Sequence, residues 1–410
     1  MDIPTTAPSI APPRIVQPSK TSYRIDSIDL LRGLVMIIMA LDHTRDFFHK
    51  GGMISDPLDL STTTPFLYFT RWITHFCAPI FVFLSGTSAW LQSLRKSKSQ
   101  LSGFLIKRGL WLIAIEVIVM TFAFTFNVHY NIIFLQTIWS IGISMVILGL
   151  AIWLPFPLIV ALGFIIVLGH NALDFTEQPF PNYKSPGWFY DLLHHQNFYN
   201  LWDNHGLVIL YPFLPWTGLM FLGYGFGKLF TTTRAEKRNR LLLLLGGSVI
   251  LFFIILRATN LYGDSQHWTK QKNLTYTFLS FMNVVKYPPS LLFMCATVGP
   301  GLIFLGLFSS AKSALAKFIT VFGRVPFFYY IIHFYVLHAV SMILFFSRGH
   351  SFQEGLNNNF PFKFLFPTEG YSLGIVYLVW FLVILALYPL CKWFSEYKLR
   401  HREKWWLSYL

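Results

Sequence analysis

The stretch Ser27–His49, SIDLLRGLVMIIMALDHTRDFFH, decides the fold of this chain. It opens as an apolar helix long enough to cross a bilayer and ends in a cluster of ionisable groups. Leu30 to Leu41 is apolar except for Arg32 and Gly33, and then come Asp42, His43, Arg45 and Asp46. Ionisable side chains are costly inside a bilayer, so each one marks a candidate functional position. At ~100° per residue, the path from Arg32 to His43 returns to nearly the same helix face, ~16 Å further along the axis. One stripe therefore carries a guanidinium near one membrane surface and an imidazole near the other. That geometry suits a reaction whose two substrates arrive from opposite sides.

Composition extends this reading to the whole chain. Of 410 residues, 54% are hydrophobic and 12% charged, against about a quarter charged in ordinary soluble proteins. Apolar stretches of transmembrane length recur throughout, which predicts an all-α, polytopic helical membrane protein. Ten spans are expected: Ile28–Phe48, Ile73–Leu91, Leu110–Phe126, Ile132–Leu154, Phe156–Gly169, Leu207–Leu229, Leu241–Leu256, Leu291–Phe308, Val325–Phe346 and Leu373–Trp393. The fifth is short and reads as tilted or re-entrant. Residues 1–24, rich in Pro, Ser and Thr, read as a disordered cytoplasmic tail, residues 25–398 as the transmembrane domain, and residues 399–410 as an interfacial cytoplasmic tail.

The net charge of +14 does not point to nucleic acid, because the basic residues sit in short connections between apolar segments. There they set orientation. With both termini cytoplasmic, 21 Lys and Arg fall on the inside and nine outside. Arg32 then lies near the cytoplasmic face, while Asp42, His43, Asp46 and His75 lie toward the outside. The three cysteines, Cys77, Cys295 and Cys391, fall in apolar segments without metal-ligand spacing and read as buried small side chains. No HExxH, P-loop or GxSxG is present, and no metal site is expected.

Three pieces occur in order: R-I-D-S-I-D-L-L-R-G-L (Arg24–Leu34), L-D-H-T-R-D-F-F (Leu41–Phe48) and T-R-W-I-T-H-F-C-A-P-I-F-V-F-L-S-G (Thr70–Gly86). Together they resemble the heparan-α-glucosaminide N-acetyltransferase catalytic-domain family, in its bacterial branch. K-Y-P-P-S-L-L-F (Lys286–Phe293) and G-R-V-P-F-F-Y-Y-I-I-H (Gly323–His333) fit the same branch. The resemblance implies a transmembrane acetyltransferase of the bacterial inner membrane, moving acetyl from cytoplasmic acetyl-CoA to an amino sugar (glucosamine or a terminal glucosaminide) on the far side. A homodimer is left open. Where lysosomal members carry an acidic residue ahead of P-x-F-V-F-x-x-G, this chain has His75, and His49 is nearest to the loop that holds their catalytic histidine. The competing classes are a proton-coupled amino-sugar transporter, with Asp42, His43 and Asp46 as relay, and an O-acyltransferase acting on an envelope glycan.

Within that framework the residues take roles. His43 is the expected general base or acetyl acceptor, oriented by Asp42 just before it or Asp46 one turn on, with His75 as a partner. Each also has a plain alternative: a structural histidine bonded to a neighbouring helix, or an interface histidine. Arg32, paired with Asp29, is expected on the phosphate or pantetheine of acetyl-CoA, or else simply fixes helix packing. Arg45, Arg324 and Lys286 join the coenzyme-binding set, Lys286 as a ligand for a substrate anion. His333, His338, Tyr329 and Tyr330 put polar groups inside the ninth span; the two histidines face ~140° apart, against a shared metal and in favour of cavity lining. Glu116 and Gln136 read as lining or as inter-helix hydrogen-bonding groups.

Overall fold

The computed structural model describes residues 25–177, 183–357, 360–401 and 403–408. The expected N-terminal tail lies outside them. Twelve helices build the bundle: α1 Asp26–Phe48, α2 Pro65–Trp72, α3 Cys77–Ser93, α4 Lys98–Ile115, α5 Thr137–Ala151, α6 Phe156–Gly169, α7 Phe213–Gly227, α8 Ala235–Thr259, α9 Leu291–Leu307, α10 Ala314–Arg324, α11 Pro326–Ser347 and α12 Leu373–Arg400. The protein is an all-α membrane protein, with shorter helices in its connections. By length and composition, five helical segments among the described residues can cross a membrane: Pro65–Ser93, Phe156–Thr176, Ala235–Thr259, Pro326–Ser347 and Leu373–Arg400. Thr137–Ala151 and Leu291–Leu307 are apolar but shorter. The ten expected spans are therefore not all reproduced by that measure. Helix α1, at 23 residues and ~34 Å, has the length but carries five charges within Asp29–Asp46. It turns Asp29, Asp42 and Arg45 into the protein interior.

Local chemistry sets several boundaries. Ser97 and Gln100 form a capping box that starts α4 well before the expected Leu110. The helix widens into a π-helical turn over Glu116–Met120 and resumes over Thr121–Thr125. Thr64 caps α2 with Pro65 in its first turn, and Ser290 caps α9 after Pro288 and Pro289. Two expected spans begin instead as strands: β1 (Ile132–Leu135), β2 (Asn197–Trp202) and β3 (His205–Ile209) form a sheet ordered β1-β3-β2. β1 pairs parallel with β3, and β2 and β3 form an antiparallel hairpin. Short runs of Ile, Val, Phe and Tyr bounded by turn residues suit strands, and Asn204, in the left-handed region at φ 56°, makes the tight reversal. Helix α12 continues to Arg400, into the segment expected as an interfacial tail.

The helices pack in close pairs, α8 on α9, α3 on α7, α4 on α5 and α1 on α10. Small residues make these approaches possible. A Cβ on Gly33 would run into the backbone carbonyl of Ile319, and one on Gly323 into that of Asp29. Gly86 and Gly223 stand in the same relation between α3 and α7. Without a hydrophobic driving force between helices in lipid, such backbone approach is what stabilises the contact. The α1–α10 crossing fixes where α1 sits, and α11 then lies along its other flank. At one end of the bundle stand Arg32 and Arg324; at the other, the sheet and the long connections gather over Asp42, His43 and Asp46.

Candidate active site

Two neighbouring spaces occupy the loop end of the bundle. The larger, a vestibule of about 700 Å³, is lined by Asp56, Arg71, His75, Gln196, Gln266, His267, Gln271, Asn283 and Lys286–Tyr287 among others. The smaller, about 160 Å³, lies deeper and is lined by Met39, Asp42, His43, Arg45, Asp46, Gln136, Tyr211 and Tyr330 among others. Arg71, Lys286 and Tyr287 line both. They form the partition between vestibule and inner cavity.

The vestibule wall is held by a side chain whose role was not legible in the sequence. Arg257, at the end of α8 and 1% exposed, donates to the carbonyls of Gln266 (2.7 Å), Phe281 (3.0 Å), Ser280 (3.1 Å) and Asn283. Asp264, 3.7 Å from the same guanidinium, accepts from the Gln266 and Val285 amides and from the Ser290 hydroxyl. Burial pushes the Asp264 carboxyl above its ordinary range despite Arg257 and these hydrogen bonds. The pair staples the loop that presents Lys286 and Tyr287. Burial alone would raise the Tyr287 phenol, but Lys286 and Arg71 outweigh it and bring it below its ordinary value.

In the inner cavity the carboxylates do not orient His43, contrary to expectation. Asp42 is paired with Arg71 from α2 and lies 3.3 Å from Arg45, which is also paired with Asp46. Guanidinium groups draw both carboxylates away from the imidazole. The partner of His43 is His333 on α11: His43 Nδ1 and His333 Nε2 are 2.7 Å apart. The direction of that bond follows from its far side. His333 Nδ1 lies 3.0 Å from the Tyr329 carbonyl, which can only accept, so His333 carries its proton on Nδ1. Its Nε2 must then accept from the Nδ1–H of His43. His43 is left with a lone pair on Nε2, in a ring that lines the cavity and packs on Phe334 at 4.1 Å between centroids. A neutral imidazole with its tautomer fixed this way is equipped to act as base or nucleophile.

The remaining expected residues separate by position. His75 is 1% exposed, lines the vestibule and has no hydrogen-bond partner among the described residues on either ring nitrogen. His49, at the end of α1, lines neither space. His338 meets the carbonyls of Ala123 and Lys363 and stacks on Phe126, away from His333's partner. Glu116 caps α5 by accepting from the Trp139 amide at 3.0 Å, and Gln136 lines the inner cavity. Arg45 and Lys286, grouped with the coenzyme set, stand at the inner cavity, where the Nε and Nη1 of buried Arg45 have no partner among the described residues. Arg32, Asp29 and Arg324 lie at the opposite end of α1, beside the Gly33–Gly323 crossing. Arg32 bonds Asp29 at 3.3 Å and the Ser88 hydroxyl at 3.1 Å.

The fold and site define a helical membrane protein with a histidine-lined inner cavity beside a polar vestibule at one end. Residues 24–257, more than half of the chain, match the family described as heparan-alpha-glucosaminide N-acetyltransferase, catalytic. The chain belongs to that family, and transmembrane acetyl transfer is its class of activity. No curated protein matches the chain. The matched part contains Asp29, Arg32, Asp42, His43, Arg45, Asp46, Arg71 and His75. Lys286, Arg324 and His333 come from beyond it.

Proposed function

We propose that the protein transfers acetyl from acetyl-CoA, bound from the cytoplasmic side at the Arg32–Arg324 end, to an amino sugar that enters the vestibule from the other side. The observation that carries this reading is the His43–His333 pair, which leaves an unprotonated Nε2 on a ring that lines a cavity beside the vestibule. The Lys/Arg asymmetry along the sequence supports the orientation. The inner cavity has room for the reacting ends of two substrates and not for a whole coenzyme. The interval from Arg32 to His43 is filled by Val35, Met36 and Met39, each at most 6% exposed. Thioether side chains adapt readily, so Met36 and Met39 are the groups that yield to the pantetheine arm.

The vestibule suits a cationic polyhydroxylated acceptor: Asp56 draws in the ammonium before it reaches the inner cavity, and the amides of Gln196, Gln266, Gln271 and Asn283 bond hydroxyls. His43 Nε2 takes the ammonium proton and releases it through the vestibule. The neutral nitrogen then bonds to the thioester carbon, the C–S bond breaks, and the nitrogen's second proton passes by way of the imidazole to the departing sulfur. The free N–H groups of Arg45 and the phenols of Tyr287 and Tyr330 supply donors for the oxyanion. Asp42 and Asp46 act as fixed counter-ions for Arg71 and Arg45.

The test uses proteoliposomes with acetyl-labelled acetyl-CoA on one side and glucosamine on the other. Labelled N-acetylglucosamine on the glucosamine side supports the reading. Uptake of unmodified sugar with no acetylation would overturn it in favour of transport, and acetyl appearing only on hydroxyl acceptors would point to the O-acyltransferase.

A further inference from the structure

Three lysine and arginine side chains line the inner cavity, and two of them have a carboxylate beside them. Arg71 is paired with Asp42, and Arg45 with Asp46. The third, Lys286, lines both the inner cavity and the vestibule and forms no ion pair among the described residues. We infer that Lys286 holds an anionic group on the acceptor, so that the preferred substrate is a phosphorylated amino sugar. The inference rests on the acetyl-transfer reading for the amine and adds the phosphate.

The other carboxylates of this region are engaged elsewhere. Asp56 Oδ1 accepts from the Leu58 amide at 2.9 Å, and both oxygens of Asp59 accept from Ser61 and Thr62. Asp264 Oδ1 accepts from the Gln266 amide at 2.8 Å, and its Oδ2 from the Val285 amide at 2.9 Å and the Ser290 hydroxyl at 2.7 Å. The fold nevertheless holds the lysine firmly. Arg257 binds the carbonyl of Asn283 and Asp264 the amide of Val285, the residue just before Lys286. Lys286 then bridges to Pro289, and the Ser290 amide donates to the Val285 carbonyl at 3.0 Å. The Lys286 ammonium lies 5.0 Å from the centre of the Tyr287 ring. Burial raises the Tyr287 phenol, yet Lys286 and Arg71 bring it below its ordinary value, as excess positive charge would.

That excess bears directly on the acceptor. A bare ammonium entering the inner cavity must pass the uncompensated charge of Lys286, and like charges repel. A phosphate on the same sugar turns the repulsion into attraction and leaves the amine free to reach His43. The residues common to both spaces, Arg71, Lys286 and Tyr287, are all hydrogen-bond donors. Three donors suit the three terminal oxygens of a phosphate monoester, which lysine binds as a point charge. A carboxylate is matched best by a free guanidinium fork, and the guanidinium of Arg71 is already engaged by Asp42.

The experiment measures transfer of labelled acetyl from acetyl-CoA by the purified full-length protein to glucosamine, glucosamine 6-phosphate and glucosamine 1-phosphate. The expected result is a kcat/KM at least ~10-fold higher for one of the esters, the size of one charge-assisted hydrogen bond, expressed mainly in KM. Lys286→Met should bring that ratio close to one, and Lys286→Arg should keep most of it. Gel filtration identifies a variant that fails to fold, and Lys286→Gln then replaces Lys286→Met. Calorimetry with the same three sugars reads the anion site without the reaction: an ester should bind more tightly than glucosamine to the wild type and not to Lys286→Met. Equal values for all three sugars in the wild type, or a preference that survives in Lys286→Met, would overturn the inference. A loss confined to acetyl-CoA binding in Lys286→Met would also overturn it and give the lysine to the coenzyme. Tighter, Lys286-dependent binding of an ester without any acetyl transfer would sustain the anion site and overturn the acetyl-transfer reading instead.

Discussion

Replacing His333 by Ala tests how His43 is prepared for catalysis. The substitution removes the acceptor of the His43 Nδ1–H and leaves the cavity-facing nitrogen undefined. Loss of a buried hydrogen-bond partner costs ~1–3 kcal/mol, and each ~1.4 kcal/mol is tenfold in rate. The expected fall in kcat is therefore about 5- to 150-fold, with KM for glucosamine nearly unchanged because His333 lines neither space. Removing the base itself costs ~10²–10⁴-fold. His333→Gln places an amide where Nε2 stood and should recover most of the loss. The assay is steady-state transfer of labelled acetyl to glucosamine by the purified variants. Wild-type kcat in His333→Ala, or equal losses in the Ala and Gln variants, would refute the tautomer argument.

Arg32→Ala should weaken acetyl-CoA binding more than acceptor binding, measured by calorimetry with each substrate; unchanged affinity for both in a folded variant would reduce Arg32 to its packing with Asp29 and Ser88. Gly323→Leu drives a side chain into the Asp29 carbonyl and should lower stability by ~1–3 kcal/mol, read as a lower Tm in detergent. A Tm equal to wild type would show that α1 and α10 are not in backbone contact. Single cysteines at Ser97 and Ser351 should label from opposite sides of the membrane, and labelling from the same side would overturn the orientation.

The organising helix was legible because a charge in an apolar run is visible without knowing what surrounds it. Asp42, His43, Arg45 and Asp46 stood out on those grounds, and the structure gathers all four around one cavity. The partnerships were not legible. Asp42 draws its counter-ion from α2, where Arg71 read only as a charge on the outer side. His43 finds its acceptor 290 positions along the chain, and only the α1–α11 packing brings the two rings together. The signal for His333 was present in its position beside Tyr329 and Tyr330 within an apolar span. Arg257 shows the same limit: its value lies in four backbone carbonyls, which no side-chain pattern encodes. The small sheet was missed because apolar strands and apolar helix starts look alike over a few residues.

The most direct test is acetyl transfer by His43→Ala, measured with labelled acetyl-CoA and glucosamine, with coenzyme binding assayed separately on the same preparation. An ammonium must lose its proton before it can attack a thioester, and the reading assigns that step to His43 Nε2. Transfer should fall by ~10²–10⁴-fold, while acetyl-CoA binding at the Arg32 end stays close to wild type. Near-wild-type transfer by the variant would contradict the account and pass the role to His75, a buried vestibule histidine with no hydrogen-bond partner among the described residues.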